Sequence, residues 1–195
     1  MVQPGISLQV MNEQATGLPP DAELVARART GDREAVHALA RRHHEAVYRL
    51  ALSILRNEAD AADASQDAFV KALRALNTFR GESAFRTWLL TIVANEARGR
   101  LRKVKRRNEA PLELSSNVAT GEQGALERVA VVSEAARVKL ALDSLPEKQR
   151  MAVTLRIYEG LSFKEVGEAI GSSEGSARVN YHHGVRKLRE LMSHE

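Results

Sequence analysis

The stretch LSFKEVGEAIGSSEGSARVNYHHGVRKLREL, residues 161–191, decides how the chain folds. Ser162 is placed to cap a short helix in which Val166, Ala169 and Ile170 recur on one face. Gly171 permits a tight turn, and Ser173 is placed to cap a second helix that begins at Glu174. Two helices joined at a glycine turn, the second with a basic C-terminal half, read as a helix-turn-helix. In that motif the first residues of the second helix enter the major groove, here Ser176, Arg178, Val179 and Asn180, with His182 and His183 one turn on. Arg178 has the donor fork for a guanine edge, and Asn180 has the donor and acceptor for an adenine edge. Arg186, Lys187 and Arg189 follow at positions suited to phosphates. Two antiparallel helices that bind only protein would share the glycine turn, but they have no need of this run of cations.

The rest of the chain is equally helical in character. Leu, Ala, Arg and Glu dominate its 195 residues, and aromatics make up only 4%, so the expected fold class is all-α, divided into two small domains. The absence of cysteine excludes disulfides and thiolate zinc sites. No apolar run approaches the roughly 18 residues of a membrane span, and the start MVQPGISLQV lacks the basic and apolar blocks of a secretory signal. A cytoplasmic protein without membrane insertion is expected.

A net charge of +4 and a pI of 9.6 are mild, but the cations are clustered. Between Arg98 and Arg107, seven of ten residues are Lys or Arg and none is acidic, a density that attracts phosphate backbones. The sign then flips. Residues 108–127, NEAPLELSSNVATGEQGALE, hold Pro111, two glycines and four glutamates without a cation, as in an acidic flexible linker.

Four segments are therefore expected: a flexible tail over residues 1–20, a first domain over 21–107, the linker over 108–127 and a second domain over 128–195. In the first domain Asp21 is a candidate N-cap, and Gly31 and Asp32 punctuate before a long helix. Its inner stripe is Val36, Leu39, Ala40, His43, Val47, Leu50, Ala51, Ile54 and Leu55. After a break at 57–60, DAADASQDAFVKALRAL should turn Phe69, Val70, Leu73 and Leu76 inward. FRGESAFRTWLL, residues 79–90, breaks at Gly81, with Ser83 as a cap. Trp88 shares the following stripe with Phe85, Leu89, Ile92, Val93 and Ala97, which makes it a core residue rather than a base-stacking one. In the second domain helices should resume near Arg128, with Ser144 capping a helix that starts at Pro146.

RRHHEAVY invites a metal reading through His43, His44 and Glu45. Adjacent helical residues point about 100° apart, however, and no HExxH spacing supports it, so no metal or cofactor is expected. Phosphate-cradling glycine loops and nucleophile elbows are also missing, and the serines sit where caps belong. The chain does not read as an enzyme.

These motifs stand in a telling order. Gly31–Asp32, DAADASQDAF, FRGESAFRTWLLTIVANEARGRL, an acidic linker, LPEKQR and EGLSFKEVGEAIG…GSARVNYHHGVRKLREL together resemble the extracytoplasmic-function (ECF) group of bacterial RNA polymerase sigma factors, over roughly residues 21–191. The resemblance implies a non-enzymatic subunit that binds core RNA polymerase, directs it to promoter DNA and is restrained by an anti-sigma factor. It implies core polymerase contacts at Asp63, Gln66 and Asp67, although Ala62 and Ala64 stand where the family usually has Glu and Leu. It places the loop Phe79, Arg80, Gly81, Glu82 and Ser83 around a base flipped from the minus-ten element, with Asn95 nearby. Arg98, Arg102, Lys103 and Lys105 would then hold the DNA backbone. Gly99, where many members have Asp, should weaken this helix.

The same resemblance gives the second domain the minus-thirty-five element, read by Ser176 to Asn180. Val179 and Asn180 depart from the usual Ser and Arg and should alter base preference. The linker would follow the polymerase's product-RNA path. The alternative is a free-standing helix-turn-helix regulator, which has no need of the acid-amide helix DAADASQDAF.

Overall fold

The computed structural model describes residues 19–109 and 134–193, and every regular element among them is helical. In the first half α1 spans Asp21–Arg29, α2 Arg33–Leu55, α3 Glu58–Ala75 and α4 Phe85–Glu109. In the second, α5 spans Glu134–Asp143, α6 Glu147–Ile157, α7 Phe163–Ile170 and α8 Glu174–Ser193. Residues 1–18, the expected linker from residue 110 on and the start of the second domain near Arg128 lie outside the described residues.

Capping chemistry sets several boundaries. Asp32 accepts from the main-chain N–H groups of Glu34 (2.9 Å) and Ala35 (3.2 Å), and Asn57 accepts from that of Asp60 (2.9 Å). The third helix thus begins inside the expected break. Asp21 proves not to be a cap: it is the first residue of α1, and its carboxylate accepts from Arg42 Nη1 (2.7 Å) and pairs with His43 Nε2 (2.8 Å). Burial alone would raise Asp21, but these two partners outweigh it and hold its carboxyl below the ordinary value.

Ser144 is also corrected. Its hydroxyl donates back to the Ala141 carbonyl (2.7 Å) and so closes α5 rather than opening α6. Gly99 does not interrupt α4, which continues to Glu109.

Helix α3 turns a face inward that the pattern of large residues did not suggest. Ala61, Ala64, Ala68 and Ala72 are its buried residues, with Ser65 and then Leu76 beyond its end. Val70 and Leu73 instead stand 43% and 41% exposed. Alanines let α3 lie close against its neighbours and leave the bulkier residues for another surface.

The two halves share one apolar cluster, in which Leu50, Ile54, Leu89, Leu90 and Val93 continue into Met151, Leu155, Leu161, Val166 and Ile170. Helix α4 makes this possible. The adjacent pairs Leu89–Leu90 and Val93–Ala94 are all fully buried, so its apolar stripe is wide enough to pack on α2 and α3 as well as on α7.

Candidate nucleic-acid interface

The helix-turn-helix is built from α7 and α8. Ser162 and Glu165 form a reciprocal capping box, and Gly171 ends α7 in the left-handed conformation with φ 64°. Ser173 accepts from the Ser176 main-chain N–H (3.1 Å) and so caps α8. Gly184 lets α8 close on α6, because a Cβ there would lie 2.7 Å from Val153 Cγ2.

On the outer face of α8, Ser176, Arg178 and Val179 are exposed while Ala177 is buried. Arg178 is held on two sides, donating to Glu174 (2.8 Å) and lying 5.0 Å from the centroid of the Phe163 ring. Arg156 lies 4.9 Å from the same ring. Asn180 donates its side-chain amide to the Ser176 carbonyl (2.8 Å), so in this conformation the group expected at an adenine edge is engaged within the helix. His182, His183, Arg186 and Lys187 are exposed further along. The Glu174–Arg178 pair was not anticipated, although its four-residue spacing is the signal that could have found it. Nothing periodic links Arg156 and Phe163 to Arg178, since they meet only across the turn.

The other expected DNA site lies on the first half. Arg80 and Glu82 are 82% and 78% exposed, Gly81 has φ 75° and Ser83 is half-buried. Phe79 departs from its neighbours, because its ring packs 5.1 Å from Trp88 and 5.8 Å from Phe85. The loop is anchored by Arg29, which donates to the carbonyls of Leu76 (3.2 Å) and Phe79; sequence spacing gave no sign of that tie. Trp88, half-buried against the core, supports the loop from below.

Asn95, Arg102 and Lys103 are exposed on α4, whereas the Lys105 side chain lies outside the described residues. Arg98 is otherwise occupied. Its guanidinium donates to Glu147 (3.0 Å) of the second half and touches Met151 Sδ (3.4 Å).

Asp63, Gln66 and Asp67 are exposed on α3, and Asp63 and Gln66 line a groove between α2 and α3 with Arg41, His44, Tyr48, Phe69, Val70 and Leu73. Arg100 of α4 pairs with Asp67 and, at 3.9 Å, with Asp63. His43 is buried on Asp21 while His44 and Glu45 face solvent, so the three do not converge on one point.

These two surfaces match known sequences. A model of the family described as Sigma-70 region 2 matches residues 39–107, and one described as Sigma-70, region 4 matches residues 135–188. The ECF RNA polymerase sigma factor SigM of Mycobacterium tuberculosis is 37% identical over 174 residues, covering 89% of this chain and 85% of that protein. The ECF RNA polymerase sigma-E factor of Escherichia coli is 37% identical over 178 residues, covering 86% and 90%. Among solved structures, CnrH in complex with the cytosolic domain of CnrY aligns with TM-score 0.64 and 28% identity, over 88% of this chain and 96% of that one. The sigma factor RpoE of Bartonella quintana, solved with the anti-sigma factor NepR, shares the fold with TM-score 0.65 at 24% identity, over 82% and 97%. The chain belongs to the ECF RNA polymerase sigma factors.

Proposed function

We propose that this chain gives core RNA polymerase its promoter specificity through two separate DNA readers and one polymerase-binding helix. The observation that carries this reading is the exposed N-terminal half of α8, with Arg178 held outward by Phe163 and Glu174. It occurs in the same chain as an exposed, anchored loop at residues 79–83. Here residues 21–107 form the polymerase-binding and minus-ten domain, and residues 128–195 the minus-thirty-five domain.

On the polymerase side, Asp63, Gln66 and Asp67 lie beside exposed Val70 and Leu73, a mixed polar and apolar strip of the kind that binds a partner. At the minus-ten element, the 79–83 loop and Asn95 hold an extruded base. Capturing that base offsets the few kcal/mol lost in unstacking and couples recognition to strand opening. Arg102, Lys103 and Lys105 contact the backbone, as does Arg98 once it leaves Glu147.

Restraint by an anti-sigma factor belongs to the same proposal. It is supported by the likeness to CnrH, which was solved with the cytosolic domain of CnrY. No helix among the described residues is long and apolar enough to cross a membrane; a cytoplasmic, non-catalytic role belongs to the same proposal and is supported by the likeness to ECF sigma factors. Co-elution of the purified chain with core polymerase tests the partner: a stoichiometric complex is expected, and failure to associate would refute it.

A further inference from the structure

The loop at residues 79–83 hangs between two fixed points. At its start Phe79 donates its main-chain N–H to the Leu76 carbonyl (3.2 Å), closing the short 3-10 turn Leu76–Thr78. The Phe79 ring stands edge-on to Phe85, 5.8 Å away, and Phe85 opens α4 at the other end of the loop. Between them Arg80, Gly81 and Glu82 are exposed, and a Cβ placed on Gly81 would meet nothing within 4 Å. The tip of the loop has no packing of its own, so its position is inherited from its ends.

One side chain from another helix grips the start of the loop. Arg29, the last residue of α1, donates through Nε to the Leu76 carbonyl (3.2 Å) and through Nη2 to the Phe79 carbonyl. The planar guanidinium fork spans both acceptors at once, which the compact charge of a lysine does not reproduce. Arg27, on the same helix, pairs with Glu23 and Asp32, whereas among the described residues Arg29 has no carboxylate partner. Its charge rests instead on carbonyls just beyond the end of α3, where the helix dipole is negative. Arg29 also stands outside residues 39–107, the span matched to Sigma-70 region 2.

We propose that Arg29 is a positioning residue for minus-ten recognition. By fixing the first peptide of the loop it holds residues 80–83 in the geometry that receives the extruded base, without touching DNA itself. The proposal rests on the function given above. Ordering a loop at the moment of binding consumes part of the binding free energy, and a loop ordered beforehand avoids that loss. Extrusion of the base is itself unfavourable, so a loop that first had to be ordered would hold the base more weakly. A phosphate contact is the other role open to an exposed arginine here, and two substitutions tell the roles apart.

Holoenzyme made with the full chain is titrated with single-stranded minus-ten oligonucleotides in which one nucleotide at a time is abasic. The parent holoenzyme should lose affinity sharply at one position. Arg29→Gln and Arg29→Lys should both shrink that loss by about tenfold, the scale of one charge-assisted hydrogen bond. Binding to the oligonucleotide abasic at that position, and its salt dependence, should stay unchanged. Rescue by Arg29→Lys, or a salt slope lowered by about one in Arg29→Gln, would make Arg29 a phosphate contact and overturn the proposal.

In the chain alone, amide hydrogen exchange at residues 79–82 should quicken in both variants, with the melting temperature nearly unchanged because Arg29 is exposed. Equal exchange in parent and variants would overturn the proposal. So would loss of folding in both variants, which would make Arg29 part of the fold. A parent holoenzyme indifferent to every abasic position would instead count against the proposed function, with the exchange result still deciding whether Arg29 fixes the loop.

Discussion

The Arg178 guanidinium sits 5.0 Å from the centroid of Phe163, so the side chain expected to read a base on α8 is positioned by the first residue of α7. A cation over an aromatic face is worth about 0.5–1 kcal/mol at an exposed site. Phe163→Leu should therefore reduce discrimination at one position of the upstream element by about two- to fivefold, while Phe163→Tyr retains it. Holoenzyme binding to templates varied at each base checks this. A uniform loss across all templates would make Phe163 purely structural.

Arg178→Ala removes the proposed reader itself, and a lost bidentate base contact costs about 1–3 kcal/mol. The same template series should show a flattened preference at a single base. Uniform weakening would instead make Arg178 a phosphate contact.

Helix α3 should tolerate change where it is exposed. Val70→Asp and Leu73→Ser alter side chains 43% and 41% exposed, so thermal stability should shift by no more than about 0.5 kcal/mol. Core polymerase binding should weaken by more than about 1 kcal/mol if these residues anchor the interface. Titration against core beside a melting curve separates the two effects.

Two glycines should respond with opposite signs. Gly184→Ala would put a Cβ 2.7 Å from Val153 Cγ2 and 3.3 Å from the Gln149 carbonyl oxygen, and overpacking costs about 1–3 kcal/mol. Gly99→Ala meets only Arg102 Nη2 at 3.9 Å and should stabilise α4 by about 0.5–1 kcal/mol. Denaturant midpoints check both.

Asp21 sets an acid limit. Burial raises its proton affinity, but His43 and Arg42 more than reverse that and keep the carboxyl below its ordinary value. The unfolded chain therefore binds this proton more readily than the folded one. The stabilisation is full above about pH 4 and is lost as pH falls through the lowered folded value. Asp21→Asn should lower stability at neutral pH and flatten the acid limb of a denaturation profile; an unchanged limb would remove Asp21 from the account.

Local rules made much of this legible. The cap at Ser162, the turn at Gly171 and most of the core stripe of α2 follow from periodicity and backbone chemistry, and so does the placing of Trp88 on the core side of its loop. Side-chain size misled at α3, where small alanines pack inward and Val70 and Leu73 face out, because close helix packing selects small residues that a search for large apolar ones passes over. Asp21 passed for a cap because its real partners, Arg42 and His43, lie 21 and 22 residues away in sequence. Arg29 on the loop was hidden for the same reason, since its partners Leu76 and Phe79 are 47 and 50 residues away; Arg156 on Phe163 was hidden because it reaches from one helix to the next across a turn, which no helical spacing rule encodes.

Run-off transcription with purified core polymerase tests the central claim most directly. On a template carrying the two elements selected from genomic DNA by the reconstituted holoenzyme, a product of defined length is expected, and it should be lost when either element is scrambled. Failure to yield any promoter-dependent product, with tight binding of the chain alone to the same duplex, would contradict the account and favour a free-standing helix-turn-helix regulator.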